Sequence, residues 1–211
     1  MKFKQLVLSA FLLASIVFPL WGQQYSKEMF TGLFEDKNVG SLHLYIQPRK
    51  THSDTETSYL KGKAIKPAYN SYLPQKVRPW TSTKECHPKA IFAIRANGLR
   101  NFYLIEVPQK QADEQLILYQ LQQRKLKKVK VLASYGCKAQ NCIQLDSWVS
   151  DLNGDGRLDL IQKRHRKSKN GKESTQTSVY LLNRQGKFKR TRKIKLKEED
   201  YTLFKRQKDN T

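Results

Sequence analysis

One short segment of the chain spaces oxygen-bearing side chains in a way that suits a hard cation. Residues 151–160 read Asp-Leu-Asn-Gly-Asp-Gly-Arg-Leu-Asp-Leu, so carboxylate or amide oxygens occupy relative positions one, three, five and nine. Ca²⁺ takes about six to eight oxygen ligands, and the glycine at position six permits the sharp bend that such a loop needs. The segment predicts a calcium loop. A polar turn without metal is the alternative, although its three carboxylates would then repel one another.

Strands are the elements that would hold this loop. Short segments with apolar and polar residues in alternation, separated by turn residues, recur through the second half of the chain. The pattern predicts strands rather than long helices. We expect them at residues 90–95, 101–107, 116–121, 129–134, 158–165, 178–183 and 188–196, with Asn97-Gly98 as a hairpin turn between the first two.

A weak internal repeat relates two of these regions. Residues 116–132 align without gaps on residues 178–194, and each copy is a strand, a polar turn and a strand. A further predicted strand precedes each copy. The repeat predicts two blade-like antiparallel units. Two basic hairpins that resemble each other by composition alone are the alternative.

The Asp-rich segment and the hairpin after it resemble an FG-GAP/VCBS repeat, the calcium-binding blade of integrin alpha-type β-propellers. The resemblance covers residues 145–195, about a quarter of the chain. It implies a structural Ca²⁺ held between strands. The ligands implied are Asp151, Asn153, Asp155 and Asp159, with the backbone carbonyl of Arg157.

Two related architectures fit the residues less well. An EF-hand needs a Glu at position twelve and flanking helices, whereas position twelve is Gln162 within a predicted strand. A closed propeller needs at least about four blades. The sequence has one calcium loop and therefore marks one blade of this type. We therefore expect a mainly β fold of antiparallel sheets with blade-like hairpin units, not a complete propeller.

The first 90 residues differ in character from the rest. Residues 1–22 combine two lysines with a short apolar run and read as a signal peptide, which implies a secreted or periplasmic protein. Residues 23–90 should form a β-hairpin at 33–47, turning at 35–38, and a proline-rich loop region. Residues 91–211 should form the β domain with the calcium loop. No transmembrane segment is expected in the mature chain.

Three cysteines are present, so one remains unpaired whichever disulfide forms. Cys137 and Cys142 flank a short polar loop that a bridge could close, and they are the disulfide candidate. Cys86 could pair with either of them instead.

A net charge of +22 favours an anionic partner. The basic stretches at 163–172 and 187–197 could grip phosphates or sulfates, or could be solvated strand faces. His43, His52, His87 and His165 fit no familiar catalytic motif. We therefore expect a secreted or periplasmic calcium-binding β-protein that acts as a binding module for an unknown protein or an anionic surface or polymer. The alternative is a secreted hydrolase of an anionic polymer such as nucleic acid or an acidic glycan.

Overall fold

The computed structural model describes residues 25–38, 40–46, 60–83, 86–95, 102–108 and 114–205. The signal-peptide segment, the Asn97-Gly98 turn and His52 lie outside these ranges. Eleven strands and one short α-helix are present in them, with 3-10 turns at Pro67–Tyr69, Arg78–Ser82 and Glu198–Asp200. The helix is α1 (Lys27–Thr31), and the strands are β1 (Glu35–Asn38), β2 (Leu42–Leu44), β3 (Lys63–Ala64), β4 (Lys89–Arg95), β5 (Phe102–Pro108), β6 (Glu114–Gln122), β7 (Lys125–Lys138), β8 (Asn141–Ser150), β9 (Asp159–Lys167), β10 (Glu173–Leu182) and β11 (Phe188–Thr191).

The described strands form one sheet that is mostly antiparallel and does not close into a barrel. Its main order is β1-β4-β5-β6-β7-β8-β9-β10-β11, with β3 paired to β4 and β2 paired to β8. Only β1 and β4 run parallel among the described pairs. The prediction of a mainly β, antiparallel fold that is not a complete propeller is confirmed.

The long strand β7 joins the two halves of the sheet. The first half contains β1 and β3–β6, and the second contains β2 and β8–β11. It pairs with β6 from Lys125 to Ser134 and with β8 from Ser134 to Lys138. From Ser147 to Val149, β8 pairs with β2 instead. Two buried side chains bond β7 carbonyls where the strands separate: Ser147 Oγ donates to the Leu132 carbonyl, and Gln162 Nε2 donates to the Val131 carbonyl at 2.9 Å.

The repeat predicted from sequence corresponds to two three-stranded meanders, β5-β6-β7 and β9-β10-β11. Their tight turns also correspond. Arg124 in the first turn has φ = 79°, and Gly186, its equivalent at the offset of 62, has φ = 75°. Because a left-handed backbone strains residues with a Cβ, glycine suits this position better than arginine.

Residues from both halves of the sheet share a central hydrophobic core. Phe102, Leu104 and Leu118 come from the first meander, and Leu160 and Leu182 come from the second. All five are at most 2% exposed. The two halves therefore stabilise each other through burial of apolar surface.

The N-terminal segments cover the outer face of β4–β6. α1 begins at the N-cap Ser26, whose side chain accepts from the Met29 amide, and buries Phe30 completely. A five-residue helix is too short to be stable alone, so packing must hold it. Phe30 stacks on Tyr72 with ring centroids 4.6 Å apart.

The C-terminal segment covers the outer face of the second half. Ile194, Leu196 and Tyr201 pack against a cluster of Trp148, Ile161 and Val179. The aromatic rings of Trp148 and Tyr201 meet edge-on at 5.4 Å. In each half, the face of the sheet that points away from the central core is thus covered by segments with little regular structure.

Two local predictions were wrong, and one strand was missed. The described residues of 33–46 form no hairpin, because the expected turn is β1, which pairs with β4, while β2 pairs with β8. The missed strand is β8. The strand expected at 188–196 ends at Thr191.

Candidate functional site

The Asp-rich loop connects β8 to β9, between Ser150 and Asp159. Gly154 and Gly156 have φ values of +73° and +74°. These left-handed residues turn the chain tightly, which the sequence predicted for Gly156. The flanking elements are both strands, as the predicted blade-like setting requires.

The side chains at positions one, three and five fold back onto the loop's own backbone. The two carboxylate oxygens of Asp151 accept hydrogen bonds from Asp155 N at 3.1 Å and Gly156 N at 2.7 Å. Asn153 Oδ1 also accepts from Asp155 N, at 3.2 Å. Asp155 Oδ1 accepts from Arg157 N at 2.9 Å. The loop conformation thus holds itself through short-range bonds of the Asx-turn type.

Asp159 is the buried member of the set. It is fully buried, and its two oxygens accept from Leu152 N at 3.2 Å and Leu182 N at 3.0 Å. Burial raises the pKa of Asp159 above its ordinary value, the two amides act in the opposite direction, and the carboxylates of Asp155 and Asp151 raise it further. Asp159 therefore fastens the loop to β10 and lies within electrostatic range of two like charges.

Arg157 contributes a positive charge beside the loop. Its guanidinium Nη1 lies 2.9 Å from Asp155 Oδ2. In the part of the chain that the structure describes, no three His, Cys, Asp or Glu side chains converge closely enough to hold a metal ion. The predicted ligands Asp151, Asn153, Asp155, Arg157 and Asp159 lie in one loop, but their acidic side chains do not converge on a common point in this structure. They offer oxygen ligands, the type that Ca²⁺ prefers.

The predicted disulfide between Cys137 and Cys142 is confirmed. The two residues face each other across the β7–β8 hairpin, with Cα atoms 4.0 Å apart. The turn residues Ala139 and Gln140 both have positive φ, at 47° and 66°. Cys86 is a free thiol.

A buried polar cluster around Asp146 was missed from sequence. Its fully buried carboxylate receives hydrogen bonds from Phe204 N at 2.8 Å and Gln144 Nε2 at 3.1 Å, and His43 Nε2 lies 3.2 Å away. The His43 ring stacks on Trp148 at 4.3 Å. These contacts tie β2, β8 and the C-terminal segment together, which is a structural role. The signal was a carboxylate close to the apolar residues Leu145, Trp148 and Val149.

The strand pair β9–β10 aligns a hydroxyl, an imidazole and a carboxylate. Thr175 Oγ1 lies 3.0 Å from His165 Nδ1, and Glu173 Oε2 lies 3.8 Å from His165 Nε2. Thr175 and Glu173 are exposed on the face of a sheet. An exposed row does not exclude water or strengthen electrostatic interactions as a catalytic site does, so it gives the hydrolase alternative little support.

Comparison of the chain with protein-family models, curated proteins and solved structures found no match. The FG-GAP/VCBS resemblance therefore stays a prediction. In the described ranges, no helix is long and apolar enough to cross a membrane.

Proposed function

We propose that the chain is a secreted or periplasmic β-protein that binds anionic ligands and is stabilised by a structural Ca²⁺ in the 151–159 loop. The observation that carries the calcium part is the burial of Asp159 within electrostatic range of Asp155 and Asp151. Like charges in range of one another destabilise one another, and a divalent cation drawn in among them would reverse the sign of that interaction.

The ion would be held by side-chain oxygens of Asp151, Asn153, Asp155 and Asp159, with the Arg157 carbonyl. All four of these side chains accept hydrogen bonds from amides of the loop. We therefore expect a local rearrangement of the loop on binding. Calcium would act by tightening the β8–β9 connection and would take no part in chemistry.

The disulfide supports the proposed compartment. Disulfides persist in the oxidising environments of secreted and periplasmic proteins. The Cys137–Cys142 bridge, together with the leader-like residues 1–22, fits export of the chain.

The anionic ligand is supported by the excess of basic residues. The chain has 40 Lys and Arg against 18 Asp and Glu. Three of these acids, Asp146, Asp159 and Glu106, are buried. The solvent-facing surface is therefore strongly positive, and it should attract polyanions in a salt-dependent manner.

Thermal unfolding with saturating Ca²⁺ or with EDTA tests the calcium part. We expect Ca²⁺ to raise the melting temperature by mass action. Asp155→Asn should remove the shift, whereas the matched control Asp200→Asn, at an exposed acid outside the loop, should retain it. Superimposable Ca²⁺ and EDTA curves for the wild-type chain would refute the calcium site.

Retention on immobilised heparin, eluted by a NaCl gradient, tests the anion part. Retention should be strong at about 0.05 M salt and lost steeply as salt rises. A wild-type chain that passes through unretained at low salt would rule out the anionic ligand.

A further inference from the structure

The outer edge of the sheet carries a groove where β11 ends before β10 does. Thr191, the last residue of β11, pairs with Val179, whereas β10 extends back to Glu173. Beyond this point, β9 is the only described strand that pairs with β10, so the edge of β10 that faces away from β9 has no described strand beside it. A groove of about 210 Å³ lies beside β10 in the space beyond the end of β11.

The lining of this groove combines three kinds of chemistry. Arg190 and Arg192 supply exposed guanidinium groups. Hydroxyls come from Thr177, Ser178 and Thr191, and an apolar wall comes from Ile194 and Leu196. Guanidinium groups bind carboxylates, sulfates and phosphates in a bidentate manner. A sugar ring with an acidic substituent matches this combination of donors and apolar surface.

A basic track leads from the groove along the neighbouring strands. Ser178 lies opposite Gln162, and Arg164 and Arg166 are the next two residues of β9 on that face, opposite Gln176 and Ser174. Alternate residues of a strand share a face and are about 6.6–6.8 Å apart. Both arginines are exposed. A linear polymer that leaves the groove past Ser178 would cross them in order.

The opposite face of β9 is different. There Lys167 Nζ lies 3.2 Å from Glu173, His165 lies 3.8 Å from the same carboxylate, and Lys163 Nζ donates to the Tyr201 carbonyl at 3.1 Å. In the described part of the chain, no acidic side chain pairs with the four arginines of the groove and the track. The basic side chains of one face thus have a carboxylate or a carbonyl as partner, whereas the arginines of the other face have no acidic partner among the described residues.

We infer that the groove and the track together bind an acidic polysaccharide, an inference that rests on the proposed anion-binding function. Proteins that bind single-stranded nucleic acid add aromatic rings for base stacking. No described aromatic residue lines this groove. Along the track the neighbours of the arginines are hydroxyl, amide and aliphatic side chains, which suit sugars better than bases.

Two double variants test the inference by calorimetric titration with a sulfated disaccharide, a long heparin chain, polygalacturonate and duplex DNA. Arg190→Gln/Arg192→Gln should lower the affinity for the disaccharide and for heparin at least about tenfold. Arg164→Gln/Arg166→Gln should change disaccharide affinity less than about twofold and lower heparin affinity about tenfold, because only a long ligand reaches the track. Heparin and polygalacturonate distinguish sulfate from carboxylate recognition.

Lys61→Gln/Lys66→Gln removes the same charge from exposed positions outside the groove and the track and should leave both affinities within about twofold of wild type. The inference is overturned if the groove variant binds like wild type, or if duplex DNA binds more tightly than heparin and only DNA binding falls in the variants. If the wild-type chain binds no polyanion, the proposed function itself fails.

Discussion

The carboxylate of Asp146 lies 3.2 Å from Nε2 of His43, although 103 residues separate them in the chain. The same carboxylate accepts from Phe204 N, 58 residues later. One buried side chain thus connects an early strand, a central strand and the C-terminal segment. Such a cluster specifies how these parts assemble, because each partner loses its bond when the carboxylate is removed.

Asp146→Leu should therefore destabilise the fold by about 3 kcal/mol, since the Phe204 amide and His43 would lose the carboxylate as a partner and Gln144 would keep only its bond to the Phe204 carbonyl. Urea unfolding measures the effect as a lower midpoint at unchanged slope. Asp36→Leu removes the exposed pair with Arg95 and should cost less than about 1 kcal/mol. Equal losses in the two variants would contradict the role given to Asp146.

Asp159 and Asp155 should respond differently to removal of calcium. Asp159 bonds the Leu152 and Leu182 amides in the fold itself, so Asp159→Ala should cost about 1–3 kcal/mol even in EDTA. Asp155→Ala, at an exposed loop position, should mainly abolish the extra stability that Ca²⁺ gives. Urea unfolding of both variants with and without Ca²⁺ separates the two contributions. A loss of equal size for both variants in EDTA would contradict this division.

The β7–β8 turn offers a stabilising substitution. Ala139 and Gln140 occupy left-handed conformations that Asn and Gly adopt more easily. Ala139→Asn/Gln140→Gly should stabilise the fold by about 1 kcal/mol, and differential scanning calorimetry should show a higher melting temperature. Lys138→Gly, at an exposed position outside the turn, provides the comparison and should give no gain.

The N-terminal cover should depend on Phe30. The ring is fully buried between Phe34, Tyr69 and Tyr72. Phe30→Ala should cost about 3–5 kcal/mol in urea unfolding, whereas Met29→Ala, at a neighbouring side chain that is 53% exposed, should be nearly neutral. A neutral Phe30→Ala would mean that α1 contributes little to the fold.

Apolar runs and apolar–polar alternation predicted most of the strands, including β5, which is buried along its whole length, and the internal repeat located both meanders. The prediction missed β8, because three of its six buried residues at 144–149 are polar: Gln144, Asp146 and Ser147. Buried polar side chains interrupt the apolar pattern on which the prediction relies.

The N-terminal error has a different origin. Residues 35–38, Glu-Asp-Lys-Asn, are polar turn formers, yet β1 is held by backbone pairing with the edge of β4 and all four of its residues are exposed. Tertiary pairing outweighs local preference at such an edge. The spacing of oxygens in the 151–159 loop was visible in the sequence, whereas the burial of Asp159 depends on β10 and was not.

The shared strand β7 also bears on how the backbone exchanges protons with solvent. Its central residues, Leu132 to Ser134, stand where pairing passes from β6 to β8 and where side chains of β8 and β9 bond its carbonyls. Neither half of the sheet can open there by itself without breaking bonds that belong to the other half. Amides at this junction should therefore exchange only through complete unfolding, while those of β1 and β11 at the two edges exchange through small local openings.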